Sequence, residues 1–371
     1  MRIDLLLPDL RAGGAERVSI DLAREFERQG HTVRFVLMQN QGEFCPEIAG
    51  EFEIVDLGIP RVRQLLTKLK SHFCSNPPDA IIASMWPLTV VAPAAARLAK
   101  CNCIVVVVEH GIISGQYQDW GLLHRAILRL SVAVGYRLAH RRIGVSSGVA
   151  RDMAELSWMD ADRNYVIHNP VASPSAPSSE KLAAVEQMWS VPPGARILTV
   201  GRLKPVKNHS LLLKSFAKLE NAQARLMIVG DGENMEATRM LAQELKISDR
   251  VIFAGFQAEP TPFYKTADLF VLSSDREGFG NVLVESMANG TPVVSTNSGL
   301  GPREILERGV FGRLVPVGDV SALTRAMEEV LRETHDTELL KERSLEFLPE
   351  FAADAYLELM FARWTRPRRE V

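Results

Sequence analysis

Long apolar runs are missing from this chain of 371 residues. No stretch reaches the roughly 20 consecutive apolar residues that a membrane-spanning helix needs. The first ten residues carry Arg2, Asp4 and Asp9 around a short apolar core, so we expect a strand there and no signal peptide. Cysteine is scarce as well. The four cysteines fit no zinc quartet and are expected to be reduced, which favours a cytoplasmic protein.

Several signatures of phosphate and hydrolase chemistry are also absent. The sequence has no P-loop Gly-Lys-Ser/Thr, which argues against ATP hydrolysis, and no Gly-x-Ser-x-Gly elbow. Its only Asp-x-Asp is Asp160-Ala-Asp162, in a hydrophilic stretch far along the chain from the glycine-containing loops described below. We therefore expect no divalent metal at a phosphate site, and no cofactor.

Charge is nearly balanced, with 43 Lys and Arg against 45 Asp and Glu, which argues against nucleic acid as a partner. Between Arg61 and Arg151, however, twelve basic residues stand against three acidic ones. Two stretches in this window are basic and amphipathic, from Arg61 to Lys70 and from Trp120 to Arg142. Either they lie on an anionic lipid surface, or their apolar side chains pack inward and leave basic backs in water. The apolar positions are Val62, Leu65, Leu66 and Leu69, expected on one face, and Leu122, Leu123, Ile127, Leu130, Val134 and Leu138.

Short β-branched runs alternate with helical patterns, which is typical of parallel sheets with crossover helices. The predicted fold class is α/β, with two Rossmann-like, doubly wound domains separated by a cleft. Residues 171–179 are rich in Pro and Ser and have no period. We predict an N-terminal domain over 1–172, a linker over 173–190 and a C-terminal domain over 191–346. Strands are predicted at 3–7, 32–37, 80–83, 104–108, 142–145, 165–168, 196–200, 225–229, 251–254, 269–272, 292–296 and 314–317.

The most informative segment is residues 275–290, which follows a predicted strand and opens a helix near Asn281. Gly278 and Gly280 let the backbone turn and approach a ligand closely. The free N–H groups of Asn281, Val282 and Leu283, together with the helix dipole, would form a phosphate site.

Two acids flank this predicted helix start. Glu285 lies about one turn into the helix, where its carboxylate can accept two hydrogen bonds from a sugar diol, as an acidic residue does for ribose in dinucleotide folds. Glu277 precedes the helix, on the loop that should face the cleft. The alternative is that both acids only complement the helix N-terminus.

A basic loop follows the strand predicted at 196–200. Arg202 and Lys207 could reach a diphosphate, the first as a bidentate fork and the second as a point charge. Such fixed cations can stabilise a leaving diphosphate without a metal. Lys204 sits beside Pro205 and ranks lower, and the alternative is an ordinary solvated loop.

Two further candidates lie in the N-terminal domain. Gly13 and Gly14 join the first strand to the first helix, either as a plain tight turn or as a wall of the cleft. His110 ends the strand predicted at 104–108 and is either a packed, capping side chain or a cleft residue.

These residues together resemble the family-4 retaining glycosyltransferases, which have the GT-B fold. Glu277 and Glu285, with seven residues between them, resemble the paired-glutamate signature of that family. The resemblance covers essentially the whole chain and is stronger in the C-terminal half. The other matching segments are Gly13-Gly-Ala-Glu-Arg17, Ile167-His-Asn-Pro170, Gly201-Arg-Leu-x-x-Val-Lys-Asn208, Val229-Gly-Asp-Gly-Glu233, Ala288-Asn-Gly-Thr-Pro-Val-Val294 and Gly301-Pro-Arg-Glu304.

The resemblance implies a role for each charged position. Arg202 and Lys207 would hold the donor diphosphate. Glu285 would bind the ribose hydroxyls, and Glu277 would contact hydroxyls of the donor sugar. His110 would sit by the transferred sugar near its anomeric centre.

The remaining implications concern the backbone and the end of the chain. The positions expected to meet sugar and phosphates, largely through backbone, are Phe279, Gly280, Asn281 and Val282. Gly14 would lie under the phosphates or the acceptor. A last helix, at about residues 347–371, would cross back onto the N-terminal domain. The family transfers sugar with retention of anomeric configuration and without a metal.

The expected activity is transfer of a hexosyl group from a nucleotide sugar, with UDP favoured on family frequency, in surface polysaccharide or glycan biosynthesis. A polyprenyl-diphosphate-linked saccharide would suit the basic window and would place the protein on the inner face of the cytoplasmic membrane. A window that packs inward would suit a soluble saccharide. Two alternatives stay open: a sugar-nucleotide 2-epimerase of the same fold, and a catalytically silent partner subunit that binds a nucleotide sugar.

Overall fold

The computed structural model describes residues 1–59 and 61–361, which form two compact units. Unit 1 contains residues 1–145, 149–170 and the helix that begins at Pro349, and unit 2 contains residues 146–148 and 171–348. The predicted end of the N-terminal domain, at residue 172, lies close to the observed division after Pro170.

Unit 1 is built on a seven-stranded sheet in which all neighbouring strands are parallel. Its strands are β1 (Arg2–Leu7), β2 (Thr32–Leu37), β3 (Glu53–Asp56), β4 (Ala80–Ser84), β5 (Ile104–Glu109), β6 (Arg141–Gly144) and β7 (Tyr165–Val166). The order in the sheet is β3-β2-β1-β4-β5-β6-β7, so the winding direction reverses between β1 and β4. The edge strand β3 was not predicted, because it is short and has a charged residue at each end.

The helices in this part of the chain cross over between the strands. They are α1 (Gly14–Arg28), α2 (Cys45–Ile48), α3 (Leu65–Ser75), α4 (Leu88–Leu98), α5 (Ile113–Gln116), α6 (Leu122–Leu138) and α7 (Ser147–Ser157). Aliphatic side chains of β1, β4 and β5 are buried on both faces of the sheet, as expected for parallel strands covered by helices.

The first basic stretch departs from its predicted geometry. Leu65 and Leu69 of α3 are fully buried, whereas Val62 and Leu66 are exposed. These four side chains therefore do not share one face. Val62 lies in the 3-10 turn at Val62–Gln64, before α3 begins. Within α3, Leu66 lies about 100° around the helix axis from Leu65 and so points to a different side.

Unit 2 contains a second parallel sheet, with six strands in the order β10-β9-β8-β11-β12-β13. The strands are β8 (Arg196–Val200), β9 (Arg225–Val229), β10 (Val251–Gly255), β11 (Leu269–Leu272), β12 (Val293–Thr296) and β13 (Arg313–Val315). The helices are α8 (Ser179–Trp189), α9 (His209–Phe216), α10 (Met235–Glu244), α11 (Thr261–Thr266), α12 (Asn281–Ala288), α13 (Leu300–Ile305), α14 (Val320–Arg332) and α15 (Thr337–Leu345). The winding direction reverses between β8 and β11.

The predicted linker over 173–190 is only partly irregular. Its second half forms α8, which the Ser178 side chain caps by accepting a hydrogen bond from the Lys181 amide. Trp189 is fully buried, and its indole Nε1 donates to Thr266 Oγ1 at 2.9 Å. Val185 is buried four residues earlier, so one face of α8 packs into unit 2. The irregular connection therefore ends at Ser178.

The last described helix, α16 (Pro349–Phe361), belongs to unit 1 and packs against α1. Tyr356 meets Phe26 edge to face, with ring centroids 6.4 Å apart. Gln29 Nε2 donates to Asp354 Oδ1 at 2.8 Å. The part of the predicted final helix that runs from residue 362 to 371 lies outside the described residues.

We expect Trp189→Ala to destabilise the protein by about 3–5 kcal/mol, because it leaves a cavity and deprives Thr266 of its indole donor. Urea unfolding of the variant measures this loss. Met188→Ala, at a neighbouring position that is 37% exposed, is the matched control and should change stability little. Unchanged stability of Trp189→Ala would mean that residues 179–189 are a linker after all.

Candidate functional site

The loops that follow β8 and β11 begin side by side in unit 2. These strands are hydrogen-bonded neighbours at the point where the winding direction reverses. In doubly wound sheets, the connections on the two sides of such a point diverge and leave a crevice beyond the carboxyl ends of the strands. The loop after β8 carries Arg202 and Lys207, and the loop after β11 carries Glu277.

The loop after β8 is held by contacts with the segment that follows β9. The Leu203 amide donates to the carbonyl of Asp231 at 2.9 Å, and the buried Leu203 side chain anchors the loop. Gly230 has φ 138°, and a Cβ there would lie 2.0 Å from the carbonyl oxygen of Gly201. Glycine is required at position 230 for both reasons. Arg202 is exposed, and its guanidinium forms no hydrogen bond or ion pair with another described residue.

Lys207 and Glu277 meet directly across the two loops. Lys207 Nζ donates to Glu277 Oε1 at 2.6 Å, with side chains 27% and 10% exposed, respectively. Ser274 Oγ donates to the same carboxylate oxygen at 2.6 Å. The Glu277 amide donates to the carbonyl of Ser298 at 2.9 Å. The carboxylate is thus nearly buried, and its charge is compensated by one ammonium and one hydroxyl.

Asn208 ties the same two loops together beside this ion pair. It adopts the left-handed conformation at φ 46°, and its Oδ1 accepts the Leu211 amide as the N-cap of α9. Its Nδ2 donates to Asp275 Oδ1 at 2.7 Å. One side chain therefore starts α9, which follows Lys207, and fixes the loop that contains Glu277.

The start of α12 is set by Gly280, which has φ 107° as its N-cap. Phe279 is buried and meets Phe347 at a centroid distance of 5.6 Å, so only the backbone of Phe279 remains for a ligand. The prediction that the Leu283 amide is free is wrong. This amide donates to the Gly280 carbonyl at 2.9 Å, because the first turn of α12 is tight. The phosphate contacts predicted for the amides of Asn281 and Val282 stay predictions.

Glu285 lies in the second turn of α12 and is oriented by Tyr264 on α11. The Tyr264 hydroxyl donates to Glu285 Oε2 at 2.8 Å. Burial, and secondarily the Glu285 charge, raise the pKa of Tyr264 well above its ordinary value, so the hydroxyl keeps its proton. The sequence did not point to Tyr264, because it lies 21 residues away and no motif contains it.

The candidates in unit 1 lie at the carboxyl ends of β1 and β5. His110 follows β5, and burial lowers its pKa to about 4, which the nearby Asn169 side chain offsets only in part. The imidazole is therefore neutral near pH 7. Gly13 is the N-cap of α1 in an extended conformation, and Gly14 is the first residue of that helix. Any residue can adopt the backbone of Gly13, so its contact with a ligand stays a prediction.

Glu109, which precedes His110, is a functional candidate that the sequence analysis missed. Its carboxylate is buried and accepts hydrogen bonds from Thr89 Oγ1 at 2.6 Å and Tyr136 OH at 2.8 Å. Burial raises the pKa of Glu109 to about 7. The sequence does show Glu109 as an acid at the end of the apolar run of β5. Acidic residues are rarely buried without a partner, so this position could have been recognised as a candidate.

Within the described ranges, no three or more His, Cys, Asp or Glu side chains are grouped so that they could hold a metal ion. Metal independence stays a prediction, because it concerns the reaction.

Two family models match this chain. Residues 191–346 match the model described as Glycosyl transferases group 1, and residues 12–173 match the model described as Glycosyltransferase Family 4. The chain belongs to these glycosyltransferase families. The predicted family resemblance is confirmed.

Relatives of this glycosyltransferase family member match different shares of its length. LpsE of Rhizobium meliloti, a lipopolysaccharide core biosynthesis glycosyltransferase, is 33% identical over 222 residues, which are 58% of this chain and 62% of LpsE. LpsD of the same organism, described in the same words, is 27% identical over 94% of both proteins. The N-acetylgalactosamine-N,N'-diacetylbacillosaminyl-diphospho-undecaprenol 4-alpha-N-acetylgalactosaminyltransferase of Campylobacter jejuni is 34% identical over 37% of both. The chain thus spans less than two thirds of LpsE and of the Campylobacter enzyme.

Solved structures resemble this glycosyltransferase family member over nearly its whole length. HepE of Anabaena in complex with UDP-glucose has a TM-score of 0.83 at 23% identity, covering 96% of this chain and 98% of HepE. The apo form of WaaB, a lipopolysaccharide outer core galactosyltransferase, has a TM-score of 0.72 at 20% identity, covering 98% and 99%. The predicted α/β class and GT-B fold are confirmed.

Glu109 gives a testable pH dependence. Its pKa of about 7 in the folded chain exceeds the ordinary 4.5, so the folded state retains a proton that the unfolded state releases. The stabilisation from Glu109 is complete below about pH 4.5 and is lost as pH rises to about 7. Glu109→Gln should therefore gain up to about 3 kcal/mol relative to wild type between pH 5 and pH 8.

Urea unfolding at a series of pH values measures how the free energy of unfolding of each variant changes with pH. Glu27→Gln, at an exposed acid of α1, is the control and should run parallel to wild type. A Glu109→Gln curve that also runs parallel to wild type would show that Glu109 is ionised in the folded protein.

Proposed function

We propose that this protein is a retaining, metal-independent glycosyltransferase. It moves a sugar from a nucleotide diphosphate sugar, with UDP as the nucleotide, to a saccharide or lipid-linked saccharide acceptor in surface polysaccharide or glycan biosynthesis. The observation that carries the proposal is the contact between Lys207 and Glu277 at the reversal point of the unit 2 sheet. It brings a cation suited to phosphate together with a carboxylate suited to sugar hydroxyls.

The cations of the loop after β8 act on the donor diphosphate. Arg202 offers a bidentate fork and has no competing partner among the described residues, and Lys207 offers a point charge. When the donor binds, the ammonium of Lys207 turns toward phosphate and Glu277 turns toward the hydroxyls of the transferred sugar. The start of α12 adds the amides of Asn281 and Val282 at the positive end of the helix dipole.

The nucleoside is held on α12. A ribose diol donates two hydrogen bonds to the carboxylate of Glu285, and Tyr264 fixes the orientation of that carboxylate by donating to Oε2. Tyr264 keeps its proton over the physiological range, since its pKa is raised.

The chemical step breaks the bond between the anomeric carbon and the diphosphate oxygen. This leaves an oxocarbenium-like sugar and a diphosphate whose developing charge Arg202, Lys207 and the helix start stabilise. The acceptor hydroxyl attacks from the face of the leaving group and passes its proton to the leaving phosphate oxygen. His110, neutral near pH 7, contacts the transferred sugar, as the family resemblance implies.

Names of related proteins support the nucleotide and the acceptor class. HepE was crystallised with UDP and with UDP-glucose, which favours UDP as the donor nucleotide. LpsE and LpsD are named for lipopolysaccharide core biosynthesis, and the Campylobacter enzyme is named for a diphospho-undecaprenol-linked saccharide. An acceptor of this kind lies at a membrane, which suits the basic stretches of unit 1 and a peripheral location on the cytoplasmic face.

Lys207→Met should raise the Kd for UDP roughly tenfold or more, because it removes a charge-assisted hydrogen bond to phosphate. Arg202→Met should act in the same direction. Isothermal titration with UDP measures both effects. Lys204→Met removes an exposed cation from the same loop and is the matched control, expected to bind UDP as wild type does. Equal losses in all three variants would mean that the loop acts only through its overall charge.

The proposed reaction is tested by incubating the protein with a panel of nucleotide sugars and lipid-linked saccharides, with and without EDTA. We expect release of nucleotide diphosphate that depends on acceptor, a product that keeps the anomeric configuration of the donor by NMR, and equal rates in EDTA. A new nucleotide sugar formed without acceptor would indicate an epimerase. Rates abolished by EDTA and restored by manganese would contradict the role of Arg202 and Lys207, and a trapped covalent glycosyl-enzyme would contradict same-face attack.

A further inference from the structure

The outward face of α6 is apolar, and no described residue buries it. Leu123, Ile127, Leu130 and Val134 follow one another at spacings of four, three and four residues, which places them on one face of the helix. They are 70%, 53%, 58% and 59% exposed, and Leu122 at the helix start is 84% exposed. Of the two arrangements that the sequence left open, the inward packing of these side chains is excluded. We call these five side chains the α6 stripe.

The opposite face of the same helix is already used. Leu128, Val132 and Tyr136 are buried, and α6 packs against α4. At Gly135 the two helices approach so closely that a Cβ would lie 2.5 Å from the Cα of Val90. Rotation of α6 to bury its stripe would break this contact and the hydrogen bond from Tyr136 to Glu109. The α6 stripe is therefore a fixed feature of the surface.

The charged side chains of α6 are all basic. Arg125 and Arg129 are exposed, and each is two residues from Ile127 and therefore about 160° around the helix axis from it, on the side away from the stripe. The helix contains no acidic residue. Trp158 is 58% exposed and lies under the guanidinium of Arg129, 5.8 Å from ring centroid to Cζ. Arg137 Nη2 donates to the Trp158 carbonyl at 3.1 Å and so holds this indole beside α6. Trp120, 37% exposed, stands just before the helix.

We propose that the α6 stripe is the surface by which this protein docks on an anionic lipid bilayer. The helix lies in the plane of the interface, with the stripe among the acyl chains, Arg125 and Arg129 at the anionic headgroups, and the two indoles at the boundary. Among the described residues, no helix has both the length and the apolar character to cross a bilayer. This inference rests on the proposed function only for its biological role, because a lipid-linked acceptor would be bound at the membrane surface.

The same geometry decides between the two basic stretches. In the stretch from Arg61 to Lys70, Leu65 and Leu69 are buried, and the exposed apolar side chains are Val62 and Leu66, at 48% and 39%. That stretch has basic side chains but little exposed apolar area. It therefore attracts the protein to anionic lipid but does not insert into the bilayer. The α6 stripe has more and larger exposed side chains, and insertion is assigned to it alone.

Charge favours lipid over a second copy of the chain. A two-fold contact through the α6 stripe would bring together two helices that each carry three arginines and no acidic residue. Anionic headgroups meet the same arginines with opposite charge.

Vesicle flotation tests the proposal on the full chain. The vesicles contain either phosphatidylcholine alone or phosphatidylcholine and phosphatidylglycerol in equal amounts. We expect flotation with the anionic vesicles at low salt, and a fall of roughly tenfold or more in the partition coefficient for Ile127→Ser/Leu130→Ser. The matched controls are Val62→Ser/Leu66→Ser in unit 1 and Val310→Ser/Leu339→Ser in unit 2, whose wild-type side chains are comparably exposed. Both should float as wild type does.

Tryptophan fluorescence provides a second measurement. Anionic vesicles should shift the emission of the wild-type protein to the blue, and brominated lipids should quench it. Trp158→Phe should lose part of both changes. Arg125→Gln/Arg129→Gln should weaken binding to anionic vesicles without creating binding to phosphatidylcholine alone.

Several outcomes would overturn the proposal. These are flotation of Ile127→Ser/Leu130→Ser equal to wild type, a wild-type protein that stays at the bottom of the gradient at low salt, and a lipid-free dimer that Ile127→Ser/Leu130→Ser dissociates in sedimentation. UDP binding serves as the folding check for each variant. Flotation without any sugar transfer would leave the docking surface in place and refute the proposed function, so the two can fail separately.

Discussion

In unit 2, β8 and β11 are hydrogen-bonded neighbours although two strands lie between them in sequence. This adjacency is the constraint on which the candidate donor site depends. Because both strands are parallel, their following loops start from the same edge of the sheet, one with Lys207 and the other with Glu277. Their side chains then meet at 2.6 Å. The Asp275 amide donates to the Val206 carbonyl at 2.8 Å, and Asn208 donates to the Asp275 side chain, so backbone and side-chain contacts both hold the two loops at this spacing.

Each unit contains a buried or nearly buried carboxylate, and the two carboxylates have different partners. Glu277 keeps a cation and a hydroxyl as partners and remains partly open to solvent. Glu109 is enclosed and has only hydroxyl and amide donors, so burial dominates and raises its pKa. Glu277 thus has a cation as its partner, whereas the raised pKa of Glu109 favours its neutral form beside His110.

The sequence predicted the strands of both sheets except β3, because these follow from local patterns. It also singled out Lys207 and Glu277, which the structure brings together, while the roles assigned to them stay predictions. The sequence did not predict the hydrogen bond from Tyr264 to Glu285, or those from Thr89 and Tyr136 to Glu109. In each pair the two residues are 20 or more positions apart in sequence and meet only when the helices pack. The prediction of a free Leu283 amide was wrong because residue types do not show whether the first turn of a helix is tight enough to form a hydrogen bond between residues three apart. In α6, the pattern marked apolar positions correctly but could not say that a second apolar face, with Leu128 and Val132, would take the core side.

Unit 1 is assembled from both ends of the described chain, since α16 packs on α1 across the whole of unit 2 in sequence. During synthesis, α1 therefore leaves the ribosome hundreds of residues before the helix that covers Phe26. Unit 2 is contiguous apart from residues 146–148 and can complete its sheet first. Until then, the side of α1 that carries Phe26 lacks its cover, and unit 1 reaches its final packing only when α16 has been synthesised.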